Sequence, residues 1–224
     1  MEYGTHRQQF NLFPTLAVLI IAFVTLFSAQ PCAANDQSPK YILALGDSLT
    51  AGYMLEPDQS FPVQLEAFLR ADGQNVHVIN AGVSGDTTGG GLARLDWALG
   101  DIPGGRPNLV IIELGANDAM RGIEPVVIKK NLAAIIEHMQ ATGARIILAG
   151  MLSAPNMGAD YAADFDPIYG ELAAHYDIAL YPFFLDGVAT FPELTLPDGK
   201  HPTGEGVSII VTRMAPTIKR LLLE

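Results

Sequence analysis

The chain has 224 residues, with 13 Lys and Arg against 24 Asp and Glu, so its formal net charge is −11 at pH 7. That length suits one large domain whose core needs no disulfide or metal staple, and 49% hydrophobic residues exclude a disordered tail protein. The acid excess speaks against a nucleic-acid partner, which needs a basic face, and against adhesion to an anionic membrane surface.

In chain order, the first segment is a targeting pattern rather than part of the fold. Arg7 is followed by no charged residue until Asp36, the run Leu16–Phe27 is apolar but for Thr25, and small residues follow at Cys32-Ala33-Ala34. A basic start, an apolar core and a small-residue exit make a secretory signal peptide. The expected organisation is a signal peptide over residues 1–34, cleaved after Ala34, and one domain over residues 35–224. The location expected with it is exported, periplasmic or secreted. The alternative is an uncleaved anchor, because the apolar region approaches spanning length when Leu12 is counted in. Cleavage removes Glu2 and Arg7, so the mature balance is 12 − 23 = −11. It also removes Cys32, the sole cysteine, and with it thiol catalysis, disulfides and Cys-ligated zinc.

Five apolar, β-branched runs of strand length follow: Tyr41–Leu45, Val76–Ile79, Leu109–Leu114, Arg145–Ala149 and Ile178–Tyr181. They are nearly continuous rather than alternating, as in strands covered on both faces. Helical faces lie between them. Phe61, Leu65, Phe68 and Leu69 make one, and Ile128, Leu132, Ile135, Ile136 and Met139 a second. Phe165, Ile168, Tyr169, Leu172 and Tyr176 make a third, and Val207, Ile210, Val211, Met214, Ile218 and Leu221 the last. Pro125 suits a first helical turn and Gly143 a helix end. Strand alternating with helix predicts a three-layer α/β/α domain on a five-stranded parallel sheet. Ligands of such sheets bind beyond the carboxyl ends of the strands, so the residues there carry the functional reading.

After the first strand stands Gly46-Asp47-Ser48-Leu49-Thr50. A serine on a glycine-opened turn at a strand end is exposed where a nucleophile belongs, although serine there also caps helices. Near the carboxyl terminus, Asp198-Gly199-Lys200-His201-Pro202 sets a carboxylate three residues before an imidazole. The carboxylate can hold the ring Nδ1–H and leave Nε2 to take a proton from a hydroxyl. The plainer reading is a loop ahead of the last helix, which Pro202-Thr203-Gly204-Glu205 opens. After the second strand stands Asn80-Ala81-Gly82-Val83-Ser84-Gly85, and after the third Gly115-Ala116-Asn117-Asp118. Gly82 N–H and the Asn117 amide are candidate oxyanion donors; turn geometry and an Asx turn are the alternatives. The Gly-x-Ser-x-Gly elbow of α/β-hydrolases is absent, since position 50 is Thr.

These four blocks, in this order, resemble the SGNH (GDSL-type) serine hydrolases over essentially the whole mature chain. Pro155-Asn-Met-Gly158, Tyr161, Ile168-Tyr169 and Pro182-Phe-Phe-Leu185 look like the exported multifunctional thioesterase/lysophospholipase/arylesterase branch. The resemblance implies a flavodoxin-like sheet, no cofactor, Ser48 as nucleophile, His201 as base and Asp198 as its orienter. It also implies an oxyanion hole from the Ser48 N–H, the Gly82 N–H and the Asn117 side chain. The expected substrates are small acyl esters or thioesters, lysophospholipid among them. Lys200 stands where the family usually has an apolar residue, and Thr203 where Asn often follows His-Pro. A carbohydrate O-acetylesterase and a non-catalytic flavodoxin-like binding module are the alternatives.

The remaining candidates take structural readings. Asp47 and Asp118 hold loop backbones. His77, His138 and His175 lack metal-ligand spacing, so no metal site is expected. Gly89-Gly90-Gly91 is not a phosphate loop, since no Lys-Ser/Thr follows. Met157, Tyr161 and Phe165 either line an acyl groove or pack a loop on its own domain.

Overall fold

The computed structural model describes residues 1–5 and 38–223. The expected signal segment beyond residue 5, the cleavage point after Ala34 and Cys32 lie outside the described residues.

In chain order the elements are β1 (Lys40–Gly46), α1 (Ser48–Ala51), α2 (Phe61–Ala71), β2 (Val76–Gly82), α3 (Thr88–Ala93), α4 (Leu95–Leu99) and β3 (Leu109–Glu113). They continue with α5 (Ala116–Met120), α6 (Pro125–Ala141), β4 (Arg145–Ala149), α7 (Ala159–Phe165), α8 (Ile168–Tyr176), β5 (Ala179–Tyr181) and α9 (Gly204–Leu223). The five strands form one sheet in the order β2-β1-β3-β4-β5, every pair parallel. The five residues of β3 are all buried, as are Ile42 to Gly46 of β1, because helices cover both faces of the sheet. On one side α2 packs against α9 and β2; on the other, α6 packs against α3, α8 and β4.

Pro125 opens α6, and Gly143 beyond its end has a φ of +85°, a left-handed value that a side chain would strain. The last helix is capped by Thr203, whose Oγ1 accepts the N–H of Gly206 at 3.2 Å.

Two sequence expectations change by more than one residue, and a glycine-rich helix appears for which the sequence pattern gave no expectation. The second strand runs on to Gly82, three residues past the apolar run. The third helical face is shared by two helices, α7 and α8, because Pro167 lacks the N–H that would continue the ladder. The stretch Thr88–Ala93, with three consecutive glycines, is helical although glycine is a poor helix former. Packing bears on that one: a Cβ on Gly91 would lie 2.4 Å from Leu114 Cδ1, so a side chain there requires Leu114 to shift.

Register sets the site. Gly46 pairs with Gly82 on one side and Glu113 on the other, and Glu113 pairs with Ala149, so the strands end along one edge. The chain leaves β1 for β2 and then crosses to β3, so the strand order reverses at β1 and β3. The crevice of such a sheet opens there.

Candidate active site

Ser48 follows β1 and is the first residue of α1. Gly46 ahead of it cannot carry a side chain: a Cβ would meet Thr50 Oγ1 at 2.0 Å and Glu113 Oε2 at 2.8 Å. Asp47 caps α1, its Oδ1 accepting the Leu49 N–H at 2.9 Å. Ser48 is left partly exposed, with a backbone N–H that has no acceptor within the described residues.

Its hydroxyl oxygen lies 2.8 Å from His201 Nε2, across 153 residues of sequence. His201 Nδ1 lies 2.6 Å from Asp198 Oδ2, and Asp198 Oδ1 accepts the backbone N–H groups of Lys200 at 2.9 Å and His201 at 3.1 Å. The loop carrying them is tight, with Leu196 N–H donating to His201 O at 2.7 Å and Thr203 N–H to Leu194 O at 2.8 Å. Partial burial pushes the Asp198 carboxyl up, but the hydrogen bonds from the His201 ring and the two backbone N–H groups outweigh it and hold the group at about 2. A charged Asp198 keeps the proton on Nδ1, so the Nε2 lone pair faces the Ser48 hydroxyl. The surface-loop reading of His201 is thereby replaced by a Ser–His–Asp relay.

Asn117 lies in the first turn of α5, 8% exposed, on the wall of the cavity beside Ser48. Its Nδ2 donates to Asp47 Oδ2 at 2.8 Å, and among the described residues its Oδ1 accepts no backbone N–H of an Asx turn. One amide hydrogen is held by Asp47 and the other remains for a ligand. Asp47 therefore does more than cap a loop. Burial raises its carboxyl to about 6, against the opposing pull of the Leu49 N–H, the charge of His201 and the Asn117 amide. Behind it Glu113 is fully buried, with Oε2 accepting from Thr50 Oγ1 at 2.9 Å and Oε1 without a partner. Burial, with the Asp47 charge adding to it, pushes the Glu113 carboxyl well above the usual carboxylate range.

Gly82 does not meet the expectation. Its N–H donates to Asn80 Oδ1 at 3.0 Å and it does not border the cavity. Glycine is required there by contact, because a Cβ would lie 2.4 Å from Ala51 N and 2.9 Å from Asp47 O. The strand end that does offer donors is the turn Val83–Asp86, tied to β1 by Val83 N–H to Gly46 O at 3.0 Å. Within it the N–H groups of Ser84 and Gly85 have no acceptor among the described residues, and Gly85 has a φ of +82°. The signal was the second glycine of the same block, followed by Asp86-Thr87.

The cavity holds about 480 Å³ and its walls are mainly apolar. Leu49, Met120, Met151, Leu152, Phe183 and Leu185 line it, with Ser48, Asn117 and His201 at its polar end. Sequence reasoning missed these apolar residues, yet Met151 and Phe183 each stand two places after a strand, β4 and β5. The expected alternatives Met157, Tyr161 and Phe165 are not on its wall: Phe165 is buried against Tyr161 and Tyr169, and Tyr161 Oη donates to Ile123 O at 2.7 Å. Asp118 holds the backbone as expected, accepting Thr88 N–H at 2.8 Å and Thr88 Oγ1–H at 2.6 Å. His77 stacks on Tyr41, away from the site.

Comparison with known proteins matches residues 44–209 to the GDSL-like lipase/acylhydrolase family. The arylesterase of Vibrio mimicus is 44% identical over 173 residues, 77% of this chain and 85% of that protein. Thioesterase 1/protease 1/lysophospholipase L1 of Escherichia coli (strain K12) is 33% identical over 200 residues, 89% of this chain and 91% of that protein. The crystal structure of TesA superposes with a TM-score of 0.76 at 38% identity, covering 81% of this chain and 99% of that one.

Proposed function

The chain belongs to the GDSL-like lipase/acylhydrolase family and hydrolyses ester bonds, and on that premise we propose that Ser48 is its nucleophile, His201 its general base and Asp198 the group that orients His201. The observation that carries this reading is the unbroken relay of 2.8 Å and 2.6 Å from Ser48 Oγ through the imidazole to Asp198.

Ser48 Oγ attacks the ester carbonyl carbon and its proton passes to His201 Nε2. The carbonyl oxygen becomes an oxyanion, received by the Ser48 N–H, the free Asn117 amide hydrogen and a backbone N–H of the Val83–Asp86 turn, with Gly85 in place of Gly82. Collapse breaks the carbon–oxygen bond to the leaving group, which departs with the proton from Nε2. Water then repeats the cycle on the acyl-enzyme and frees Ser48. An apolar cavity of this size fits an acyl chain of several carbons better than acetyl, which favours the arylesterase and thioesterase substrates over acetylated carbohydrate, and a lysophospholipid acyl chain would enter the same way. The reading includes export of the mature domain after removal of residues 1–34, supported by the composition of that segment.

The test is Ser48→Ala. Ester hydrolysis and fluorophosphonate labelling should both vanish while the melting temperature stays at the wild-type value, because one half-exposed hydroxyl is lost. Substantial residual turnover by the folded variant would exclude Ser48 as the nucleophile.

A further inference from the structure

Tyr53 has no part in the relay, yet its ring centroid lies 4.6 Å from that of His201, tilted by 40°. Its backbone is pinned to the nucleophile itself. Tyr53 N–H and Gly52 N–H both donate to Ser48 O, at 3.1 Å and 3.2 Å, and Gly52 must be glycine because its φ is +84° and a Cβ would meet Ser60 Cβ at 2.6 Å. The ring packs into no core: Tyr53 is 42% exposed, and its hydroxyl makes no hydrogen bond among the described residues. An aromatic ring held beside the imidazole and open to solvent is a surface on which a bound group can stack.

Placement decides what covers it. The acyl cavity lies beside Ser48, with Asn117, Met120 and Met151 on its wall, and Tyr53 is not among the residues that border it. An ester bound for attack spans Ser48, with its acyl chain in that cavity. Its other half must leave from the side of His201, because Nε2 delivers the proton to the departing oxygen. The group attached to that oxygen therefore emerges next to the imidazole, against whose ring Tyr53 stands at 4.6 Å.

We propose that Tyr53 is the leaving-group platform of the enzyme, and that it selects esters whose departing alcohol carries an aromatic ring by stacking on that ring. The proposal rests on Ser48 and His201 acting as described above. Stacked aromatic pairs contribute enough to change a rate constant about three- to tenfold beyond simple burial.

The experiment measures kcat/KM, which reports the steps through acylation, for phenyl butanoate and ethyl butanoate on wild type, Tyr53→Phe, Tyr53→Leu and Tyr53→Ala. Active sites are titrated with a fluorophosphonate in each preparation. The phenyl-to-ethyl ratio should fall roughly three- to tenfold in the Leu and Ala variants and stay at the wild-type value in the Phe variant. An equal loss on both esters would mean that Tyr53 acts only by holding His201, and an unchanged ratio would mean that the ring is not used; either overturns the proposal. Should Tyr53→Ala not fold, Tyr53→Leu keeps the side-chain bulk and decides between the same outcomes. Failure of the serine mechanism is distinguishable, because no preparation would then be labelled by the fluorophosphonate.

Discussion

At the scale of single residues, the site is a set of side chains whose hydrogen-bond partners leave one group of each free for the reaction. Asn117 shows this. Asp47 Oδ2 takes one amide hydrogen at 2.8 Å, so the other is aimed rather than free to rotate. An oxyanion donor acts mainly in the transition state, so Asn117→Ala should lower kcat by about 10²–10³, roughly 3–4 kcal/mol, with KM little changed. Asp47→Asn should show the same KM-sparing pattern with a smaller loss, because it removes the acceptor that aims the amide and not the donor itself. Stability separates this from a structural defect. The Asp47 carboxyl is raised from 3.8 to about 6 by burial, so between those values the folded chain binds a proton that the unfolded chain has lost. Its ionisation thus costs stability as pH rises through that window, and the variant has no such group. Urea denaturation at pH 4 and pH 7 should find the Asn variant gaining on wild type at the higher pH. A variant whose KM rises in step with falling kcat, or which loses ground at pH 7, would show that Asp47 does not act through Asn117.

Elements matter here through how closely they approach. The triple-glycine helix α3 lies against Leu114, and Gly91 is the contact. Gly91→Ala gains about 1 kcal/mol of helix propensity but overpacks a buried side chain at a cost of roughly 1–3 kcal/mol. The expected net is a loss on the order of 1 kcal/mol. Leu114→Ala alone should cost about 2–5 kcal/mol, and distinctly less in the Gly91→Ala background, where the added methyl fills part of the space. A double-mutant cycle by urea unfolding measures the coupling; strictly additive effects would show that the glycine is not there for Leu114. The same logic applies at Gly115, where a φ of +122° and a Cβ only 2.1 Å from Tyr169 Oη exclude a side chain. Tyr169 Oη donates to Leu114 O at 2.9 Å and so fixes the turn that delivers Asn117.

Over the whole molecule the dominant property is the charge of −11. Esters without charge meet no barrier from it, whereas an acyl-coenzyme A thioester, itself an anion, approaches against the field. Screening shortens that field from about 30 Å at 0.01 M salt to about 10 Å at 0.1 M. Raising sodium chloride across that range should therefore increase kcat/KM for an acyl-coenzyme A substrate and leave a neutral aryl ester unchanged. Initial-rate measurements on both substrates decide it, and a parallel response of the two would remove the electrostatic explanation.

The sequence by itself determined the fold class and pointed to the three residues that the structure brings into one hydrogen-bonded row. Near-continuous apolar runs require a sheet covered on both faces, and Ser48, Asp198 and His201 each stand in a short block with its own local signature, so no distant contact was needed to suspect them. Tertiary structure alone decided which backbone donor is free. Gly82 and Gly85 lie three residues apart in one block, and only the pairing of β2 with β1 and the acceptor Asn80 Oδ1 commit the first N–H and leave the second. The cavity wall was equally out of reach, because Met120 at the end of α5 and Met151 and Phe183 in the loops after β4 and β5 meet only once the strands end in register. Tyr53 beside His201 is the same case: 148 residues separate them (201 − 53 = 148), and a ring contact across that span has no periodicity or motif to announce it. What local pattern encodes can be read along the chain; what depends on which groups remain unpaired after folding cannot, because that is a property of the assembled hydrogen-bond network.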